Sequence, residues 1–336
     1  MKRFGILLLG ACLLGCSFAP PYERTPGEVP GDFRFQSLEG RARPELASLA
    51  DLEWWEIFDD AALRELIHIA LVQSYDARLA MARVAEARAL AGVSRSFLLP
   101  QVGAAAGYQR QRVSRTSVDP PIPSNANTPD NFAQFNFDLS WEIDLFGRLQ
   151  NLSESARSLF FASEWGQQAV LSAVVADVAR AYFELRTLDF QLEISRATLE
   201  SFQGSRRLVA LRLRQGLVSR EELAQAEALV HTAGARIPDL ERLIAQKENQ
   251  ISILLGDNPQ PIRRGKSLTE LAVRPTVPGG LPSDLLERRP DIRQSEAVLT
   301  AANYRIGAAR ANFFPRIALT GQAGTQSVDL SRLFTG

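Results

Sequence analysis

The chain has 336 residues, and its 38 basic residues are balanced by 38 acidic ones. Almost all the basic residues are arginine, with lysine only at Lys2, Lys247 and Lys266, and they are scattered among acids. Nucleic-acid binding needs a clustered basic face, so we expect no nucleic-acid partner.

The first fifteen residues have the pattern of a secretory signal peptide. Lys2 and Arg3 precede an apolar stretch that is too short to span a bilayer permanently. The sequence from Leu13 to Cys16 resembles the bacterial lipobox, which implies that Cys16 becomes the N-terminus and carries a diacylglycerol and an N-acyl chain. By the same resemblance, Ser17 in place of Asp points to the outer membrane. An ordinary signal peptide with a chance cysteine is the alternative.

Residues 16–60 are rich in proline at their start and are predicted to be a lipid-anchored tether. Near the end of this segment, Trp54, Trp55 and Phe58 are predicted to pack against the helix that follows. That helix is predicted from Ala62 to about Phe97, because the apolar spacing is helical and Pro100 ends it.

Residues 102–144 are predicted to form a β-hairpin with a long polar loop. In its second strand, apolar residues alternate strictly with polar ones, and the apolar set is Phe135, Phe137, Leu139, Trp141 and Ile143. Strands of about ten residues with this alternation are typical of outer-membrane barrels, so this apolar set is predicted to face lipid. The alternative is a sheet edge in a soluble domain. A single hairpin leaves backbone groups unpaired in hydrocarbon, so several copies of the chain must share the sheet.

Residues 148–255 are predicted to form a long helical hairpin, because apolar residues recur at alternating spacings of three and four along both limbs. At 1.5 Å per residue the first limb extends about 100 Å and the second about 55 Å. The turn between them has Gly216 as a helix stop and Ser219 as the N-cap of the second limb.

The sequence contains a long internal repeat. Asp76, Arg78, Ala82, Ala87, Gly92, Arg95 and Pro100 recur 215 positions later as Asp291, Arg293, Ala297, Ala302, Gly307, Arg310 and Pro315. We therefore interpret 61–275 as a first repeat and 276–336 as the start of a second. The spacing predicts a complete chain of about 470–490 residues, with a fourth strand and a second helical hairpin beyond those present here.

Several passages resemble TolC-type outer-membrane factors, of the NodT/OprM branch of efflux lipoproteins. They are WWEIFDDAALRELIHIAL, SWEIDLFGRL, VADVARAYFELRTLD, RLRQGLVSREELAQAEA, LPSDLLERRPDIRQSE and IGAARANFFPRIALTG. The resemblance implies a mainly α protein with a membrane β-barrel, in which three copies form a periplasmic α-barrel and a twelve-stranded outer-membrane barrel.

By this resemblance the chain is the outer-membrane channel of a tripartite pump that exports small molecules. Its partners would be a periplasmic adaptor and an inner-membrane pump. The adaptor would meet the hairpin turn, at Arg212, Arg214, Gly216, Leu217, Val218 and Ser219.

Three other functions stay open at this point: a type I protein-secretion duct, a periplasmic coiled-coil adaptor, and an inactive fragment. We expect no enzyme, since the sequence has no phosphate loop, nucleophile elbow or metal-ligand spacing, and His68 and His231 are isolated on helical patterns. No cofactor or metal is expected, apart from the acyl groups on Cys16.

Overall fold

The computed structural model describes residues 17–24, 58–110, 131–270 and 288–334. Cys16, Trp54, Trp55 and the predicted signal peptide lie outside these residues, as does most of the predicted tether. Among the described residues, no helix combines the length and the hydropathy that crossing a membrane requires.

The described part of the chain is mostly helical, with one small sheet. In chain order the elements are α1 (Ala61–Gln73), α2 (Tyr75–Ser96), β1 (Gln101–Arg110), β2 (Asn131–Ile143), α3 (Arg148–Arg214), α4 (Arg220–Leu255), α5 (Pro290–Ala311), β3 (Ile317–Ser327) and a short 3₁₀ turn at Leu330–Arg332. The limbs of the helical hairpin, α3 and α4, have the bounds that the heptad pattern indicates.

The prediction of one continuous helix from Ala62 to Phe97 is wrong. Ser74 separates α1 from α2, with a ψ of 142° that no helix tolerates. Its own N–H still bonds to Ala70 O at 3.0 Å, and its hydroxyl accepts from Ala77 N at 3.2 Å. Ser74 therefore ends one helix and caps the next.

The helix break is matched by the end of α4. Gly256 ends α4 with a φ of 78°, and a Cβ at this position would lie 2.7 Å from Gln73 O. The C-terminus of α4 thus packs directly against the interruption between α1 and α2. This contact joins residues that are far apart in sequence, so the periodicity of α1 and α2 alone does not predict it.

The chain divides into two compact units. One comprises Met1–Thr25, Glu86–Ala162 and Ser295–Gly336, and the other Pro26–Ala85 and Ser163–Gln294. Within the described residues, the first unit contains the sheet with the helix ends that adjoin it. The second contains α1 and the helical hairpin.

The core of the second unit is formed by α1, the middle of α3 and the end of α4. Its most buried apolar side chains are Leu63, Ile67, Ala70, Val178, Tyr182, Leu185, Ile251 and Leu255. Phe58 packs against this cluster, with its ring centroid 6.0 Å from that of Phe183. Each large aliphatic side chain buried in this way contributes about 1.5–3 kcal/mol to the free energy of unfolding.

A buried carboxylate holds three segments of this unit together. Asp60 is 1% exposed and caps α1, since its Oδ1 accepts from Ala62 N at 2.8 Å. Its Oδ2 accepts from the Tyr182 hydroxyl at 2.8 Å and from Lys266 N at 3.2 Å. A Cβ at Gly265 would overlap Asp60 Oδ1, so the connector after α4 approaches as closely as glycine allows.

Candidate functional site: a two-faced sheet and an exposed helical turn

The three strands form one antiparallel sheet in the order β1-β2-β3. Their register pairs Phe137 with Ala104 on one side and with Ala323 on the other. Directly paired residues place their side chains on the same face of an antiparallel sheet. The register therefore fixes which residues of all three strands share a face.

One face of the sheet is apolar across all three strands. It carries the five alternating residues of β2 (Phe135, Phe137, Leu139, Trp141 and Ile143) and their partners Val102, Ala104, Ala106, Ile317, Leu319, Gly321, Ala323 and Thr325. Phe137 is 50% exposed and Leu139 44%, so these side chains stand open to the surroundings. An apolar patch of this kind, left uncovered in water, marks an interaction surface or an aggregation hazard.

The opposite face is polar. Its β2 residues are Gln134, Asn136, Asp138, Ser140 and Glu142, and their partners include Gln101, Gln109, Thr320, Gln322 and Gln326. Small residues occupy most of the remaining partner positions, so this face is open as well as hydrophilic. Alternation of apolar and polar faces along every strand is the pattern of a wall with lipid on one side and water on the other.

Trp141 marks one end of the apolar face. Its Nε1 donates to Leu98 O at 3.1 Å, in the turn that leads from α2 into β1. The side chain is half-buried, with its apolar body in the sheet face and its N–H satisfied by the backbone. Tryptophan with one apolar and one polar side is enriched at the boundary between membrane and water.

The junction from β2 to α3 is fixed by ionic contacts. Arg148 donates to both oxygens of Glu142, at 2.9 and 2.6 Å. This hydrogen bonding raises the pKa of Arg148 above its ordinary value. Asp144 Oδ2 accepts from Gln150 N at 2.7 Å, and Gly147 turns the chain with a φ of 69°. The sequence block SWEIDLFGRL is therefore a rigid strand-to-helix connection.

The turn between α3 and α4 is closed by two capping motifs. Gly216, with a φ of 73°, donates to Leu213 O at 2.9 Å, and Leu217 N donates to Arg212 O at 3.0 Å, which together form a Schellman motif. Ser219 and Glu222 then form a reciprocal capping box at the start of α4. The backbone of the turn is thus held without support from other elements.

The predicted partner-binding residues all lie in this turn or in the last turn of α3. Leu217 is 73% exposed and Val218 is half-buried, while Arg212, Arg214, Gly216 and Ser219 are exposed. An apolar side chain is therefore presented to solvent among arginines on a rigid backbone.

Ion pairs along the hairpin join its two limbs. Arg206 pairs with Glu227 at 3.1 Å, Arg196 with Glu241 at 2.7 Å and Lys247 with Glu184 at 2.6 Å. Each pair is largely exposed and contributes little to stability, typically less than about 1 kcal/mol. Together they indicate the antiparallel pairing of α3 with α4, which apolar packing between the limbs accompanies.

The structure also reveals residues that sequence reasoning did not single out. Among them are Glu142, Arg148, Asp60 and the acceptor Leu98 O. The interruption at Ser74 had a signal in the repeat, since Tyr75 aligns with Pro290, and proline is favoured at the first position of a helix. In the described parts of the chain, no group of three or more His, Cys, Asp or Glu residues could hold a metal ion.

Comparison with known proteins gives consistent matches along the chain. The profile of the family described as outer membrane efflux protein matches residues 66–257 and 281–336. The chain is 37% identical over 342 residues to the probable efflux pump outer membrane protein SepC of Pseudomonas putida, covering 98% of this chain and 69% of SepC. It is 34% identical to the probable outer membrane lipoprotein SilC of Salmonella typhimurium, covering 98% of this chain and 68% of SilC.

A solved structure agrees with these sequence matches. The open-state MtrE outer membrane channel of Neisseria gonorrhoeae superposes with a TM-score of 0.77 at 32% identity. The alignment covers 96% of this chain and 69% of MtrE.

Proposed function

This chain belongs to the outer membrane efflux protein family, and we propose that it forms part of an outer-membrane channel that carries small molecules from the periplasm to the exterior. Membership is established by the family profile and by relatives that this chain matches over nearly its full length. The expectation of a TolC-type outer-membrane factor is thereby confirmed. The chain spans about two thirds of the length of SepC and of MtrE.

The observation that carries the proposal is the two-faced sheet. Phe137, Leu139 and their cross-strand partners present an apolar face, while Asp138, Ser140 and their partners present a polar one. In the outer membrane the apolar face contacts lipid and the polar face lines an aqueous lumen. A lumen of this kind makes few specific contacts and suits solutes of varied chemistry.

The edges of the sheet require further copies of the chain. β1 and β3 lie at the two sides of the described sheet, and each pairs with β2 alone within it. Unpaired backbone groups are not tolerated in hydrocarbon, and the smallest membrane barrels have about eight strands. We propose that three copies close one barrel, which is the homotrimer with twelve strands that the family resemblance implies.

The helical turn is proposed as the contact for a periplasmic adaptor. Leu217 is an exposed apolar side chain on a backbone that two capping motifs fix, so a partner helix could bury it without reordering the turn. Arg212 and Arg214 add positive charge beside it, which suits an acidic partner surface. An inner-membrane pump would supply the energy, since the chain has no site of its own for nucleotide hydrolysis in its sequence.

The lipid anchor is also a proposal. Cys16 in its lipobox-like context would carry the diacylglycerol and N-acyl chains, and the similarity to SilC, which is named as a lipoprotein, supports this. We expect no other cofactor and no enzymatic activity. The names of the relatives refer to efflux pumps, which favours small-molecule export over protein secretion.

The test is complementation in a Gram-negative strain that lacks its own efflux outer-membrane channels. Expressed from its gene with the cognate adaptor and pump genes, the protein should fractionate with the outer membrane and lower susceptibility to pump substrates. Membrane fractionation, oligomer mass and inhibitory concentrations are measured together. Outer-membrane oligomers without any change in susceptibility would refute the efflux function while leaving the location intact.

A further inference from the structure

The segment that follows Cys16 is held in a built site beside the sheet. The ring of Phe18 stacks on Phe314 with centroids 4.9 Å apart and planes inclined by 5°. Phe314 stacks in turn on Phe146, at 4.7 Å and 18°. Phe146 lies in the turn after β2 and Phe314 in the turn before β3, so the stack adjoins the end of the sheet where both turns lie.

The backbone of the same segment is fixed by α5. Arg310 Nη1 donates to Phe18 O at 3.3 Å, and Asn303 Nδ2 donates to Pro20 O at 2.7 Å. Between them, a Cβ at Gly307 would lie 2.7 Å from Ala19 N. Only glycine at this position lets the segment approach so closely, and the chain is therefore held in a single register.

Asn151 leaves one donor unused at this site. The side chain belongs to a residue that is 1% exposed, and its Oδ1 accepts from the Ser17 hydroxyl at 2.9 Å. Its Nδ2 has no hydrogen-bond partner among the described residues. A buried amide without a partner is destabilising, and native structures pair nearly all such groups. The free N–H beside Ser17 therefore calls for an acceptor close to the N-terminus of that residue.

We propose that Phe146, Asn151, Gly307, Arg310 and Phe314 form a binding site, the anchor seat, for the acylated N-terminus. Its ligand is an N-acyl, S-diacylglyceryl cysteine at Cys16, whose acyl amide carbonyl accepts from Asn151 Nδ2. Adjacent Cα atoms are about 3.8 Å apart, so residue 16 begins within reach of the residue that already binds Ser17. The inference rests on the proposed acylation of Cys16. The seat fixes the lipid chains in position relative to the strands.

The internal repeat provides a comparison within the same molecule. Gly92 in α2 is the counterpart of Gly307, yet a Cβ at Gly92 would meet nothing within 4 Å. Leu99 stands where Phe314 stands in the second copy, so the aromatic stack has no equivalent there. The same sequence element is thus used as a seat in one repeat only. Gly92 consequently supplies a matched control for Gly307.

The experiment measures how well the segment is seated by the rate at which trypsin cleaves after Arg24. The full chain is purified in detergent in two forms, one from its own signal and one with Cys16→Ser behind a cleavable non-lipoprotein signal. Intact mass spectrometry of the mature N-terminus first establishes whether Cys16 is acylated. Asn151→Leu, Gly307→Val and Gly92→Val are compared in both forms, with circular dichroism as a check of folding.

The expected result is a dependence on acylation that is specific to Asn151. In the acylated form, Asn151→Leu should speed cleavage about tenfold, as the loss of one buried hydrogen bond predicts. In the Cys16→Ser form the same variant should change the rate by no more than about twofold, because only the bond to Ser17 is lost. Gly307→Val should speed cleavage in both forms, and Gly92→Val in neither.

Two results would overturn the seat. If Asn151→Leu has the same effect with and without the acyl chains, Asn151 does not bind the lipid carbonyl. If Gly307→Val leaves the cleavage rate unchanged, the segment is not held against α5. An N-terminus that proves unacylated by mass removes both the ligand and the proposed anchor, whereas the efflux function is judged separately by complementation.

Discussion

The hydroxyl of Tyr182 lies 2.8 Å from Asp60 Oδ2, in the interior of the unit that contains the helical hairpin. The same oxygen accepts from Gly265 N at 2.9 Å. One side chain of α3 therefore holds both the start of α1 and the connector after α4. Tyr182 is fully buried, so each of these bonds is shielded from water.

Replacing Tyr182 with Phe should destabilise this unit by about 1–3 kcal/mol, because the variant leaves Gly265 N–H without its acceptor and deprives Asp60 of a donor. Urea unfolding of the detergent-solubilised protein, followed by circular dichroism, measures the change. Tyr75→Phe is the matched control, since Tyr75 is 67% exposed. Equal stability of the two variants would show that the buried hydroxyl contributes nothing.

The same tyrosine predicts a pH dependence. Burial, together with the neighbouring carboxylate of Asp60, raises the pKa of Tyr182 to about 12 from a model value of 10.0. A group whose pKa is higher in the folded state stabilises it below the unfolded pKa and loses that effect as pH rises through the folded value. Stability should therefore fall between about pH 10 and pH 12, and the fall should be smaller in Tyr182→Phe. Parallel pH profiles of the two proteins would contradict the assignment.

Gly265→Ala should be more destabilising than its small size suggests. The added methyl overlaps Asp60 Oδ1, so either the connector or the cap of α1 must move, which typically costs about 1–3 kcal/mol. Gly92→Ala is the control, because a Cβ there meets nothing within 4 Å and alanine favours a helix. Urea midpoints that fall only for Gly265→Ala are expected. A drop of the same size at Gly92 would show that the overlap is not the cause.

Two arginine substitutions on adjacent β2 residues test the faces of the sheet. Leu139→Arg places a charge on the proposed lipid face, at a cost of about 2–4 kcal/mol near the middle of a bilayer. Ser140→Arg places the same charge on the polar face and should be tolerated. The yield of outer-membrane oligomer on native gels decides between them. Similar losses in both variants would be inconsistent with a lipid face and a lumen face.

Leu217→Asp should abolish efflux without altering the amount of protein or its assembly, because the turn is closed by its own caps and does not need this side chain. Burial of Leu217 by a partner helix would contribute about 1.5–3 kcal/mol, which the charged variant forfeits. Gln215→Asp, an equal charge change nearby, is the control. Inhibitory concentrations and immunoblots are the measurements, and unchanged resistance in Leu217→Asp would dispose of the adaptor contact.

Local sequence patterns were sufficient for most of the elements. Strict alternation from Phe135 to Ile143 predicts β2, and heptad spacing predicts both limbs of the helical hairpin. Gly216 and Ser219 predict the turn between them, since helix stops and caps depend on residues within about one turn. The family profile and the relatives confirm the fold class, the efflux function and the outer-membrane location that these patterns and the resemblance indicated.

The contacts that only folding reveals join residues distant in the chain. The break at Ser74 depends on Gly256, the cap of Asp60 on Tyr182, and the place of Phe18 on Phe314. No periodicity encodes such pairs, because each side chain satisfies its local pattern equally well with or without its distant partner.

The amino-acid order by itself therefore determined where helices and strands lie and which of their faces are apolar, since backbone geometry makes these properties depend on near neighbours. The tertiary structure alone decided the strand register, the partners of the buried polar groups and the place that receives the chain after Cys16. Those depend on shape and hydrogen bonding between segments that come close only when the apolar surfaces are buried together.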